Sequence, residues 1–86
     1  MIETIELNKL SQFKELKKGD LVVVQWHRDV SKNKRARTRF EPYAVVENKE
    51  VYTEIILQKS MNVYFNYSMF LDGQSNVKAI ILVSAN

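Results

Sequence analysis

Leu21-Val22-Val23-Val24-Gln25-Trp26-His27, led in by Lys17-Lys18-Gly19-Asp20, is the stretch on which the fold turns. Its β-branched and aromatic residues favour extended, pleated backbone, and their alternation puts Val22, Val24 and Trp26 on one face. Just before it the period changes. Leu7, Leu10, Phe13 and Leu16 recur every three residues, which predicts about two turns of amphipathic helix over residues 8–16, with Asn8 as its N-cap. Lys17 and Lys18 suit the negative end of the helix dipole, and Gly19 is placed to stop the helix. Further upstream, residues 2–7 alternate loosely and read as a first edge strand or an extended arm.

Downstream the strand period returns, over residues 43–47, 51–58, 61–65 and 77–83. Pro42 cannot donate to a ladder, so pairing there is expected at an edge or delayed until Tyr43. Asn48 tolerates positive φ and is the expected pivot of a reversal through Asn48-Lys49-Glu50. In the following run Val51, Thr53, Ile55 and Leu57 form the drier face, opposite Tyr52, Glu54, Ile56 and Gln58. Met61, Val63 and Phe65 share a face of the next strand. Tyr67, Phe70 and Leu71 then fall at the i, i+3, i+4 spacing of a single helical turn, closed by Gly73. Residues 77–83 are apolar on both faces except at Lys78, the pattern of a strand held between neighbours.

The chain has 86 residues, 45% apolar, 27% charged and 10% aromatic, with 2 Gly, 1 Pro and no Cys. This is the composition of one small globular domain rather than a disordered or low-complexity chain. Without cysteine, disulfide frameworks, thiolate metal sites and Cys nucleophiles are excluded. The longest apolar run, Ala79 to Val83, is far below the roughly 18 residues that span a bilayer, and the acidic start lacks the basic and apolar stretches of a signal peptide. A cytoplasmic protein with no membrane partner is the expectation.

Charge is strongly asymmetric. Between His27 and Phe40 lie Arg28, Lys32, Lys34, Arg35, Arg37 and Arg39 against the single acid Asp29, a net of +5 in a chain whose total is +3. The remainder therefore carries −2. All four arginines of the protein sit in this window, and the planar, permanently charged guanidinium suits phosphates and carboxylates. In an extended arm Arg35, Arg37 and Arg39 form a row at about 6.6 Å spacing, near the separation of successive phosphates along a strand. Single-strand recognition also uses exposed aromatics on which bases stack. Trp26 and Phe40 bracket the window, with Trp26 read as an inward residue, while Tyr52 and Tyr64 lie opposite the drier faces of their strands and are the stacking candidates.

No catalytic constellation accompanies the charge. His27 is the only histidine and has no second acid–base partner. Two-His metal spacing, glycine-rich phosphate loops, nucleophile elbows and paired carboxylates are missing from the sequence. The expectation is a non-catalytic module without metal or cofactor that binds a polyanion, nucleic acid first. An acidic protein surface, as for an inhibitor or adaptor docking on a host enzyme, is the alternative.

The strand pattern, with one long connection after the first strand and a helical turn before the last, predicts a mainly β, SH3-like barrel of about five strands with a short N-terminal helix. The residues Lys17 to Val24 resemble the Lys-Gly-Asp-hydrophobic start of many such barrels, including KOW-type modules of translation and transcription factors. The long arginine-bearing connection is similar to that of MazF-type ribonuclease toxins, with Phe40-Glu41-Pro42 where those carry Arg-Pro. This second resemblance implies a ribonuclease in which arginine and His27 meet transition-state charge. Residues with AT-rich codons (Ile, Lys, Asn, Tyr, Phe) number 30 against 11 for Gly, Ala, Arg and Pro. In that respect the chain resembles small accessory proteins of phages and prophages of low-GC bacteria.

Overall fold

The structure, a computed structural model, describes residues 2–26 and 40–85. The alternating run from Leu21 is strand β2 (Leu21–Trp26), with Val22 and Val24 fully buried. Around it are β1 (Ile2–Glu6), β3 (Phe40–Lys49), β4 (Glu54–Gln58), β5 (Asn62–Asn66) and β6 (Val77–Ala85). All six form one antiparallel sheet in the order β1-β6-β2-β3-β4-β5. β6 lies between β1 and β2, the position its two-sided apolar character implies. Two one-turn helices, α1 (Leu10–Lys14) and α2 (Tyr67–Leu71), complete the described fold.

The core sits on one face of the sheet. Val22, Val24, Val45, Ile55, Leu57, Phe65 and Ile80 supply it from the strands, and Phe13 and Tyr67 close it from the helices. Phe13 stacks on Tyr67 at 5.2 Å between ring centroids and meets Phe70 edge-on at 5.7 Å. Each fully buried aliphatic or aromatic side chain contributes about 1.5–3 kcal/mol relative to exposure, so this face holds the domain together.

The architecture is therefore mainly β, but the sheet is open: it has six strands rather than about five, and its outer strands β1 and β5 are not paired with each other. Residues 2–6 add a full strand on β6. After β5 the chain turns at once into α2, and a groove separates β5 from Trp26 and Val77.

Several local expectations change in the fold. The predicted helix over 8–16 shortens to α1, with Lys9 rather than Asn8 at its N-cap. The backbone N–H groups of Asn8 and Lys9 both donate to Gln12 Oε1, at 2.8 and 3.0 Å, so a side chain inside the turn reaches back to hold the residues that lead into it. The helix closes at Glu15. Gly19, at φ 97°, instead shapes the turn into β2, where its N–H donates to the Val45 carbonyl.

Asn48 is not the pivot of a reversal. It lies within β3, and its amide nitrogen donates to the carbonyls of Phe13 at 2.9 Å and Leu16 at 3.0 Å, capping the end of α1 from across the fold. The reversal falls at a 3₁₀ turn over Glu50–Tyr52 and at Thr53, whose φ of 49° is left-handed. The strand expected over 51–58 consequently begins at Glu54, and it buries Ile56 as well as Ile55 and Leu57. Met61 lies outside β5 and is exposed. Pro42 pairs opposite Val23 in β3, at a point where β4 has not begun to pair, since that ladder runs from Ala44 onward. Locally, β3 is an edge there, as proline requires.

Candidate functional site

At the end of β2 the pairing with β6 shifts by one residue, so that Trp26 faces Val77. This bulge turns the indole to the margin of the core, half-buried and packed against it. Beside it opens a groove of about 250 Å³ whose walls are Trp26 and Val77 on one side and residues 63–66 of β5 on the other. Met69 of α2 and the turn residues Ser75 and Asn76 complete the rim. Among the described residues the lining contains no Asp, Glu, Lys, Arg or His, so this part of the groove presents uncharged, largely apolar surface.

Two of its polar side chains are engaged within the protein. Ser75 Oγ accepts from the Val77 N–H at 3.1 Å. Asn66 Oδ1 accepts from the Met69 N–H at 3.0 Å, which is the N-cap of α2. Among the described residues, the buried Trp26 Nε1 has no acceptor. A covered, unpaired N–H costs about 1–3 kcal/mol, which is why such groups are rare in native folds.

The predicted stacking residues are both exposed. Tyr64 projects from β5 with 63% of its surface accessible, opposite the inward Val63 and Phe65, and borders the groove. Tyr52 is 70% accessible, but it sits on the 3₁₀ turn rather than on a strand. The Asn66 amide donates to the Tyr52 carbonyl at 3.5 Å. Phe40 is also exposed, on the sheet face away from the core. Tyr43 and Tyr67 are core residues; the Tyr43 hydroxyl donates to Glu41 Oε2 at 2.9 Å, and that carboxylate also meets Lys59. Burial, aided by the negative charge of Glu50, raises the Tyr67 phenol above its ordinary 10.0.

Arg28, Lys32, Lys34, Arg35, Arg37 and Arg39, together with His27, lie outside the described residues. Sequence reasoning did not single out Met69, Ser75 or Asn76. Met69 falls off the Tyr67/Phe70/Leu71 stripe, which is the available sign that it points away from the core; the two turn residues carry no such signal.

A second groove, of about 340 Å³, runs between β1 and α1, with Ile5, Leu7, Leu16 and Leu82 below and Glu15, Lys17 and Asp20 at the rim. Its mixed charges favour neither sign of ligand. Among the described residues no group of three or more His, Asp or Glu is placed to hold a metal ion, and no helix is long and apolar enough to cross a membrane. Comparison with protein families, with curated proteins and with solved structures finds no match.

Proposed function

We propose that the protein is a non-catalytic binding module whose arginine-bearing window, from Arg28 to Arg39, recognises nucleic acid. One observation carries this reading: the window concentrates all four arginines and a net +5 between Trp26 and Phe40, while the rest of the chain is net negative. A body of charge −2 has no general affinity for phosphate, so binding is confined to the window and to aromatics within reach of it. Arg35, Arg37 and Arg39 are the principal phosphate contacts, Arg28, Lys32 and Lys34 supplementary ones, and Tyr52 and Tyr64 offer faces for stacking. The finer fold reading, an SH3-like barrel left open along β5, belongs to the same proposal. It is supported by the Gly19-Asp20 lead into β2, the long β2–β3 connection and the helical turn before β6.

Fluorescence anisotropy of labelled random-sequence single strands, titrated at several salt concentrations, tests the proposal. The expected result is binding whose log affinity falls linearly with log salt. In the triple variant Arg35→Ala, Arg37→Ala, Arg39→Ala, the slope should flatten by about two to three units. Feeble wild-type binding with an unchanged slope in the variant overturns it. The acidic-protein alternative then becomes the reading to pursue, through a discrete partner that the wild type captures and the triple variant loses.

A further inference from the structure

The sheet has two edges, and they are defended very differently. β1 ends the sheet on one side with Glu3 and Glu6, the charged residues with which natural edge strands discourage pairing. β5 ends it on the other with Asn62-Val63-Tyr64-Phe65-Asn66, which has no charge, no proline and no bulge in its regular five-residue ladder with β4. Among the described residues, the backbone of β5 pairs only with β4.

The edge strand is also self-complementary. Its side chains read Asn, apolar, Tyr, apolar, Asn in either direction, so an antiparallel pairing centred on Tyr64 sets Tyr64 opposite Tyr64, Val63 opposite Phe65, and Asn62 opposite Asn66 of a second copy. Aromatic–aromatic and aromatic–β-branched pairs are the favourable cross-strand combinations. The backbone agrees with this register. The Tyr67 N–H donates to the Thr53 carbonyl at 2.9 Å, which continues the β4–β5 ladder with Thr53 and Tyr67 as a hydrogen-bonded pair. Pairs alternate along an antiparallel ladder, so Phe65 and Val63 direct their N–H and C=O groups toward β4, and Tyr64 and Asn62 direct theirs outward.

We infer that β5 is a homodimerisation edge, joining two copies about a two-fold axis through Tyr64 into one continuous sheet. The axis makes the contact isologous, so it closes at two copies. On one face the partner's Val63 and Phe65 extend the apolar wall of the Trp26 groove; on the other the two Tyr64 rings stand side by side and remain open to solvent. A five-residue edge is a small interface, so association is expected in the roughly micromolar range or weaker.

Sedimentation velocity from about 1 to 500 µM tests the inference. The expected mass rises from the 10.1 kDa monomer toward twice that value and no further. Tyr64→Lys, which sets like charges on the axis, should hold the protein monomeric with an unchanged CD spectrum, as should Tyr64→Glu. An equimolar mixture of the two should dimerise again, because only pairing across this axis brings the opposite charges together. Thr4→Lys on the β1 edge should leave association unchanged. The chain has no cysteine, so Tyr64→Cys supplies a single thiol that should oxidise to a disulfide dimer, while Thr4→Cys should not. A wild type monomeric throughout, growth past the dimer, a Tyr64→Lys dimer, or loss of association in Thr4→Lys would each overturn it.

Discussion

Two sets of aromatic side chains flank β5 and differ in what their ring faces meet. Toward the helices, the Phe13 ring lies 5.2 to 6.3 Å from those of Phe65, Tyr67 and Phe70, and Phe65 lies 5.6 Å from Phe70, so each ring packs against another. In the other set, Trp26 at the end of β2 is half-buried beside a groove, and Tyr64, Tyr52 and Phe40 present most of their surface to solvent. Tyr64 and Tyr67 are three residues apart, yet 63% and 0% exposed. The first set has satisfied its surface internally and is committed to stability. The second has surface left over that the described residues do not cover.

The sharpest way to break this contrast is Phe13→Ala. Phe13 touches three other rings, so its truncation should cost about 3–5 kcal/mol, enough to unfold much of the population of a small domain. Urea titration measures it, and a loss under 1 kcal/mol would mean that the closed cluster does not hold the fold together.

Next comes the tie that positions Phe13. Asn48→Ala removes the amide that caps α1 through the carbonyls of Phe13 and Leu16, and a loss of about 1–3 kcal/mol is expected, with faster amide exchange around α1. Exchange unchanged there would show the cap to be incidental.

Tyr67→Phe should be milder, within about 1 kcal/mol at neutral pH and not necessarily unfavourable, because the hydroxyl it removes is buried without a partner. The variant sharpens the contrast through pH. The phenol is raised in the folded state, so its stabilising contribution is fully present below the unfolded value near 10 and is lost as pH rises through the folded one. Wild type should therefore lose more stability than Tyr67→Phe above pH 10. Equal alkaline slopes for the two proteins would refute the assignment.

Smallest in stability, and decisive for the open set, are Tyr64→Ala and Tyr52→Ala. Each should change unfolding free energy by no more than about 0.5 kcal/mol, as exposed residues do, while weakening single-strand binding by about 1–3 kcal/mol where a base stacks. A large stability loss with unaltered binding would move these tyrosines into the same class as Tyr67.

Much of this contrast is legible along the chain, and the misreadings have identifiable causes. Alternation places Val22 and Val24 inside correctly, because a half-buried strand has a strict two-residue period. The helical spacing of Tyr67, Phe70 and Leu71 marks α2, and the two-sided apolar run marks β6 as interior. Asn48 misleads because its turn propensity is a local property, whereas its use here is a hydrogen bond reaching more than thirty residues back in sequence. Residues 51–53 continue an alternating pattern and still form a turn, since Thr53 takes a left-handed conformation that residue type alone does not announce.

The candidate site divides in the same way. Exposure of Tyr64 follows from its place in the alternation, whereas that of Tyr52 comes from the 3₁₀ turn, and the groove requires the bulge at Trp26, the path of β5 and the turn at Ser75 and Asn76 to converge.

What the sequence determined by itself is of short range: strand period, the β2 face, the helical turn and the concentration of all arginines in one window. Tertiary structure alone decided which strands are neighbours, that β5 is the second edge opposite β1, and that Trp26 stands across a groove from Tyr64. Periodicity is written into consecutive residues by local sterics. Strand order and edge exposure depend on how segments far apart in the chain bury their apolar faces together, and no single window of sequence contains that choice.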